Sequence, residues 1–224
     1  NGAVVNVNDA EKIGAHIRKR GEDILVGKPI LSAGQLLSAG EIAVLATVQQ
    51  SFVTVYRRPR VAIITTGDEL VEIEENAGDS KVVNGNTVAL ASFSQSFGAE
   101  PTMLPIARDD PEDIERTIKE ASEADFILSS GGVSVGDFDY VKQVLEEMGA
   151  KTLFWRVAMK PGKPLLFCTL NSIPYFGLPG NPVSSMMSFL QFVRPALFKA
   201  AGHPSKMWEL PETIAYLENN AVNE

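Results

Sequence analysis

From Arg58 onward, short apolar runs rich in β-branched residues alternate with stretches of helical period, and this alternation leaves few folds open. Val61-Ala62-Ile63-Ile64 is a continuous apolar run, as expected of a strand buried on both faces. Asn86 to Phe97 then predicts a helix with Val88, Leu90, Phe93 and Phe97 as core candidates and Gly98 as its stop. "PTMLPIA", residues 101–107, reads as a second strand. Asp110-Pro111 opens another helix, with Asp110 as N-cap and Pro111 at the first position. Phe126 to Leu128 is a third strand, followed after a glycine-rich loop by a helix that holds Tyr140, Val141, Val144, Leu145 and Met148. "KTLFWRVAM", "PLLFCTL" and "IPYFGL" are three more strands, the last two joined by a tight turn at Asn171-Ser172. Asn181-Pro182 caps a long apolar helix to about residue 200, kinked at Pro195. The pattern predicts a three-layer α/β domain with a mixed, mostly parallel sheet. Residues 1–57 differ: apolar runs broken by Gly, Ser and Pro predict small β elements and one short helix, a β-rich to irregular segment without its own compact core.

In such a sheet, ligands bind beyond the carboxyl ends of the strands, so the loops there carry the chemistry. The first is "TTGDEL", residues 65–70, where Gly67 permits a tight turn and Asp68 and Glu69 follow; a solvated strand exit is the plain alternative. The second is "ARDDPED", where Asp110 serves the helix terminus and Asp109 is freer to point into a site. The third is "SSGGVSVGDFDY". Gly131, Gly132 and Gly136 allow close backbone approach, Ser129, Ser130 and Ser134 supply hydroxyls, and the following helix N-terminus favours anions; Asp137 reads first as the cap of that helix, and Asp139 faces either the ligand or solvent. The fourth is "WRVAMKPGKP", which brings Arg156, Lys160 and Lys163 together, either as an anion site or as a basic surface turn. "GLPGNPVS" adds free N–H groups and Ser184.

Composition narrows the ligand. Net charge is −8, from 20 basic and 28 acidic residues, which argues against nucleic-acid binding. Two histidines and one cysteine exclude a multi-histidine or cysteine-rich metal centre, and Cys168 in "LLFCTL" reads as a packed thiol. Gathered carboxylates repel unless a cation joins them, so Glu69, Asp109 and Asp139 suit a hard divalent ion such as Mg²⁺. Cations and backbone N–H groups opposite them suit oxyanions. The residues thus predict a domain that handles Mg²⁺ and a phosphorylated small molecule, with the lysines facing the carboxylates across one cleft. No apolar run reaches the length of a membrane span, and a reducing cytoplasm fits.

"RVAIITTGDEL", "RDDPEDI", "SSGGVSVGDFDYV", "MKPGKP" and "GLPGNPVS", in this order and spacing, resemble the molybdopterin molybdenumtransferases, the MoeA family that includes the E-domain of gephyrin; "GAHIRKRGEDI" resembles an earlier stretch of the same family. The resemblance implies a MogA-like molybdopterin-binding domain over residues 58–203, a partial N-terminal segment over 1–57, and the start of a C-terminal β domain over 204–224. It implies insertion of molybdenum from molybdate into adenylylated molybdopterin, with divalent-metal-dependent release of AMP. The positions that match the family's functional ones are Asp23, Glu69, Asp109, Asp139, Arg156, Lys160 and Lys163, and the two lysines with Ser184 correspond to the molybdate pocket. A homodimer and a molybdopterin adenylyltransferase partner are further expectations. The family's "MDGYA"-type stretch and most of its C-terminal domain are missing, so the chain reads as a piece of a longer protein. Arg156 stands where relatives can have lysine, and its planar fork changes the contact geometry. Two other readings stay open: a molybdopterin adenylyltransferase of the same fold, and a gephyrin-like scaffold that recruits peptides.

Overall fold

The structure, a computed structural model, describes residues 2–4, 6, 11–132 and 140–204. The chain divides into two compact units, Asn1–Ser51 and Phe52–Glu224. In the first, the described residues form one helix, α1 (Ala39–Thr47), opened by a capping box between Ser38 and Glu41. The expected small β elements are not found among its described residues. The reason is physical: Gly14, Gly21, Gly27 and Gly34 all take positive φ and break the chain into turns, and no residue of α1 is buried.

The second unit holds a six-stranded sheet. Its strands are β1 (Arg60–Thr65), β4 (Glu100–Met103), β5 (Phe126–Ser130), β6 (Lys151–Trp155), β7 (Leu166–Leu170) and β8 (Ile173–Leu178), in the order β4-β1-β5-β8-β7-β6. β4, β1, β5 and β8 are parallel, and β7 runs against both β8 and β6. The β7–β8 reversal is made at Asn171 and Ser172, both at positive φ (49° and 69°), the conformation a two-residue hairpin of this hand needs. A second, two-stranded parallel sheet pairs β2 (Leu70–Val71) with β3 (Val82–Val83), a pairing that the sequence does not predict.

Alternation along the strands splits the core in two. Ala62, Ile64 and Ile127 face one side, with Ile114, Ile118, Val141 and Leu145 of the helices α3 (Pro111–Ala121) and α4 (Tyr140–Glu147). Val61, Ile63 and Leu128 face the other, with Leu90 of α2 (Gly85–Ser96) and Phe189, Val193 and Leu197 of the C-terminal helical run. This is the three-layer α/β arrangement with a mixed, mostly parallel sheet. Of the predicted α2 core residues, Leu90 is buried, Phe93 and Phe97 are partly buried, and Val88 is exposed. "PTMLPIA" is a strand only to Met103, because Pro105 cannot donate to a ladder; Ala107 rejoins through a single bridge to Thr66. The long helix is α5 (Pro182–Ser188), a π-helical turn Phe189–Val193 and α6 (Arg194–Ala200), and the wide turn comes just before Pro195, which lacks an N–H. Cys168 is fully buried, and burial pushes its thiol up to about 12, so it packs and does not react.

Candidate functional site

The chain leaves β1 toward β4 on one side and returns to β5 on the other, so the strand order reverses between β1 and β5. That reversal opens a crevice at the carboxyl ends of the two strands. A cleft of about 390 Å³ lies there. Thr65, Thr66, Ser130 and Gly131 form its floor; Glu69, Leu70, Val82 and Val83 one wall; Asn84, Gly85, Asn86 and Ala89 of α2 a second; Gly180, Pro182 and Met186 a third.

Local chemistry builds each wall. Asn84 caps α2: its Oδ1 accepts from the Thr87 N–H (3.3 Å) and hydroxyl (3.0 Å), and the Thr87 hydroxyl shares a 2.5 Å hydrogen bond with Thr65. The end of β1 is thereby tied to the start of α2. Asn181 caps α5 in the same way, accepting from the Ser184 N–H (3.1 Å) and hydroxyl (3.3 Å). Asn86 joins the two remaining turns, its Nδ2 donating to the Ser130 Oγ (2.8 Å) and to the Gly180 carbonyl (2.7 Å). Neither asparagine of "VVNGNT" was singled out from the sequence. The available signal was two short polar side chains flanking a glycine at a helix start.

The glycines of the third loop do intramolecular work. A Cβ on Gly132 (φ 65°) would lie 2.5 Å from Val141 Cγ2 and 2.8 Å from Thr66 Oγ1; one on Gly131 (φ 90°) would lie 3.0 Å from the Thr66 carbonyl. Both residues let β5 turn tightly against the end of β1 and against α4, and Gly131 alone of the pair lines the cleft. Ser130 sits at the cleft floor. Ser129 lies one residue earlier and faces the opposite side with Ile127; it is fully buried, away from the cleft. Ser134, Gly136, Asp137 and Asp139 lie outside the described residues.

Glu69 is the cleft's carboxylate, and two further acids, Asp68 and Asp109, gather beside it from two strand ends. Gly67 takes φ 148°, and a Cβ there would lie 2.6 Å from Glu69 Oε2, so the glycine makes room for the Glu69 carboxylate to fold back. Asp68 and Asp109 exchange backbone N–H to carboxylate hydrogen bonds at 3.3 and 3.4 Å. Burial pushes the Asp109 carboxyl above its ordinary range; the Asp68 N–H opposes this, and the charges of Glu69 and Asp68 add to it. Lys81 spends its ammonium on the Asp68 carbonyl. No described lysine or arginine pairs with these three carboxylates. Nor do any three His, Cys, Asp or Glu side chains among the described residues gather closely enough to hold a metal. Asp110 caps α3 through the Asp113 N–H, as the sequence implied.

The basic loop stands elsewhere at the same end of the sheet. It follows β6, three strands from β5, or roughly 14 Å at the usual inter-strand spacing. Lys160 and Lys163 are exposed, and the Arg156 guanidinium lies 4.2 Å over the Trp155 ring, which also carries the Lys142 ammonium at 4.5 Å. Gly162 holds the loop against α5, where a Cβ would meet Ser188 Oγ at 2.9 Å. α5 therefore has two employments. Pro182 and Met186 line the cleft, while Ser188, two residues beyond Met186 and so about 200° around the helix, faces the lysine loop. The predicted acids and lysines share one end of the sheet, but α5 stands between them within one chain. The Ser184 hydroxyl is engaged in its helix cap. Asp23 belongs to the first unit, paired with Arg18 at 3.0 Å.

Sequence comparison agrees with the architecture. The profile of the family described as a probable molybdopterin binding domain matches residues 62–199. A molybdopterin molybdenumtransferase of Nostoc sp. is 44% identical over 88% of this chain and 46% of its own length; that of Haemophilus influenzae is 35% identical over 92% and 51%. The chain thus spans about half the length of the curated relatives it matches. Two crystal structures of molybdopterin biosynthesis MoeA protein from Pyrococcus horikoshii superpose with TM-scores of 0.75 and 0.71, at 32% and 29% identity, over 81% and 85% of this chain and 45% of each of those chains. With its matched segment spanning the six-stranded sheet and the switch-point cleft, this chain belongs to the molybdopterin-binding domain family.

Proposed function

We propose that this chain is the molybdopterin-binding part of a molybdopterin molybdenumtransferase, taking adenylylated molybdopterin and molybdate and releasing AMP in the synthesis of molybdenum cofactor. The observation that carries the reading is the placing of two unlike sites about α5: a cleft that holds Glu69, Ser130 and Asn86, and an exposed lysine loop. Such a pair suits an extended substrate whose phosphoanhydride lies in the cleft while the end that receives molybdenum lies by the lysines. Lys160 and Lys163 attract and neutralise the molybdate dianion. Ser130, Gly131 and the N-termini of α2 and α5 hold phosphate oxygens.

Glu69 and Asp109, with Asp139 beyond the described residues, would hold Mg²⁺. The fit rests on donor chemistry: hard oxygens only, no cation among the described residues paired to Glu69 or Asp109, and an Asp109 carboxyl whose proton affinity is raised until positive charge arrives. When bound, the ion supplies stabilisation of negative charge on the anhydride oxygens. At phosphorus, a new P–O bond forms and the bond to the pterin phosphate breaks. With a molybdate oxygen as the nucleophile, its Mo–O bond breaks as the pterin's sulfurs take its place on molybdenum, and that oxygen stays on phosphorus in the released AMP. Oxygen-18 molybdate that fails to place label in AMP overturns that step. The assembly proposed is a cytoplasmic homodimer, supplied by a molybdopterin adenylyltransferase and engaging neither nucleic acid nor membrane. In support, the chain is acidic and no helix among the described residues is long and apolar enough to cross a membrane.

The test is molybdate-dependent AMP release from adenylylated molybdopterin, measured for this chain, for the longer protein that contains it, and for Lys160→Ala in each. Release that is absent from the longer protein, or unchanged by Lys160→Ala, sinks the proposal.

A further inference from the structure

We infer that Asn86 is a positioning residue that fixes the Ser130 hydroxyl as a hydrogen-bond donor aimed into the cleft. The inference rests on the reading above, in which this cleft takes a phosphate-bearing ligand. The half-buried Asn86 amide approaches the Gly180 carbonyl at 2.7 Å. A carbonyl only accepts, so the atom facing it is the amide nitrogen and the orientation of the side chain is determined. The same nitrogen lies 2.8 Å from Ser130 Oγ. With one N–H on each partner, Ser130 Oγ is an acceptor toward Asn86, and its own proton must point away from it.

Ser130 is 1% exposed at the floor of the cleft, and no other hydrogen bond of its hydroxyl is found among the described residues. A buried hydroxyl whose proton is unspent is costly without an acceptor and strong with a charged one. The arrangement thus presents a fixed donor to an anionic phosphoryl oxygen. It also ties β5 to the turn before α5, since Asn86 reaches partners 44 and 94 residues away in sequence. Asn86 acts through Ser130 and through the turn, without needing to touch the ligand itself.

The experiment titrates AMP and, separately, molybdopterin into the 224-residue chain by calorimetry, for wild type, Asn86→Ala, Ser130→Ala and the double variant, with a melting curve for each. Each single change is expected to weaken binding about tenfold, the loss of one charge-assisted hydrogen bond. The double variant is expected to bind no more weakly than the weaker single, because both changes remove one donor. Losses that multiply to about a hundredfold, or wild-type affinity in either single variant, overturn the inference while leaving the cleft reading intact. Wild-type protein that binds neither probe overturns the cleft reading and this inference with it. Should Asn86→Ala fail to fold, Ser130→Ala alone decides: wild-type affinity there removes the donor from the account.

Discussion

Asp68 and Asp109, 41 residues apart, each give a backbone N–H to the other's carboxylate, and so lock the loop after β1 to the segment before α3. The lock holds two negative side chains beside Glu69. Burial, with the charges of Glu69 and Asp68 adding to it and the Asp68 N–H opposing it, makes the folded state bind a proton at Asp109 more readily than the unfolded chain does. For a carboxyl raised in this way, stability is lost as pH rises through its range and regained below it. Asp109→Asn should melt slightly higher than wild type near pH 7, and the difference should vanish on acidification below the carboxylate range. Thermal melts from pH 3 to 8 check this; an Asn variant less stable at pH 7 contradicts it.

The same carboxylates give a metal prediction. Millimolar Mg²⁺ should raise the wild-type melting temperature, and Glu69→Gln together with Asp109→Asn should abolish the rise. Equal stabilisation of the double variant by Mg²⁺ would place the ion elsewhere.

Gly132→Ala should destabilise the chain by about 1–3 kcal/mol. The new methyl meets Val141 and Thr66 well inside contact distance, and φ 65° is strained for any residue with a Cβ. Urea titration measures the loss. Gly78→Ala is the control: it too sits at positive φ (56°) but has nothing within 4 Å, so its cost should be the backbone strain alone, about 1 kcal/mol.

Asp125 binds the Arg57 guanidinium with both oxygens (2.6 and 2.8 Å) and accepts the Arg60 N–H (2.7 Å). The Arg57 hydrogen bonds, opposed by partial burial, hold its carboxyl down at about 2. A depressed carboxyl stabilises above its unfolded pKa, and that stability disappears as pH falls toward the folded value. Stability should therefore drop between about pH 4 and pH 2. With Arg57 largely exposed and screened by solvent, the contribution is small. Asp125→Asn should flatten this part of the pH profile; a profile unchanged by the substitution would show the pair to be idle.

Lys160→Ala should leave the melting temperature unchanged, because the side chain is exposed and away from the core. Under the proposed function it should lower molybdate-dependent AMP release about tenfold or more, mostly through molybdate affinity. A fall in stability matching the fall in activity would point to a structural role.

Much of the fold was written locally. The caps Asp110 and Asn181, the stop at Gly98, the turn at Asn171-Ser172 and the apolar runs of β1 and β5 each follow from rules that act over five residues or fewer. β2 and β3 escaped notice because two-residue strands carry no period to detect. Ser129 and Ser130 look alike in sequence, and only strand alternation within a covered sheet sends one to the cleft and the other into the core.

By itself the sequence determined the residue types available for oxyanions and a hard cation, and the strand ends that carry them. Tertiary structure decided which of those residues meet. It set Glu69, Ser130 and the α2 terminus in one cleft, brought in Asn86, and put α5 between that cleft and the lysines. The reason is that strand order across the sheet is fixed by packing between segments tens of residues apart. β6 lies at the far edge because β7 and β8 pair between it and β5, and that pairing is not encoded in any single stretch of chain.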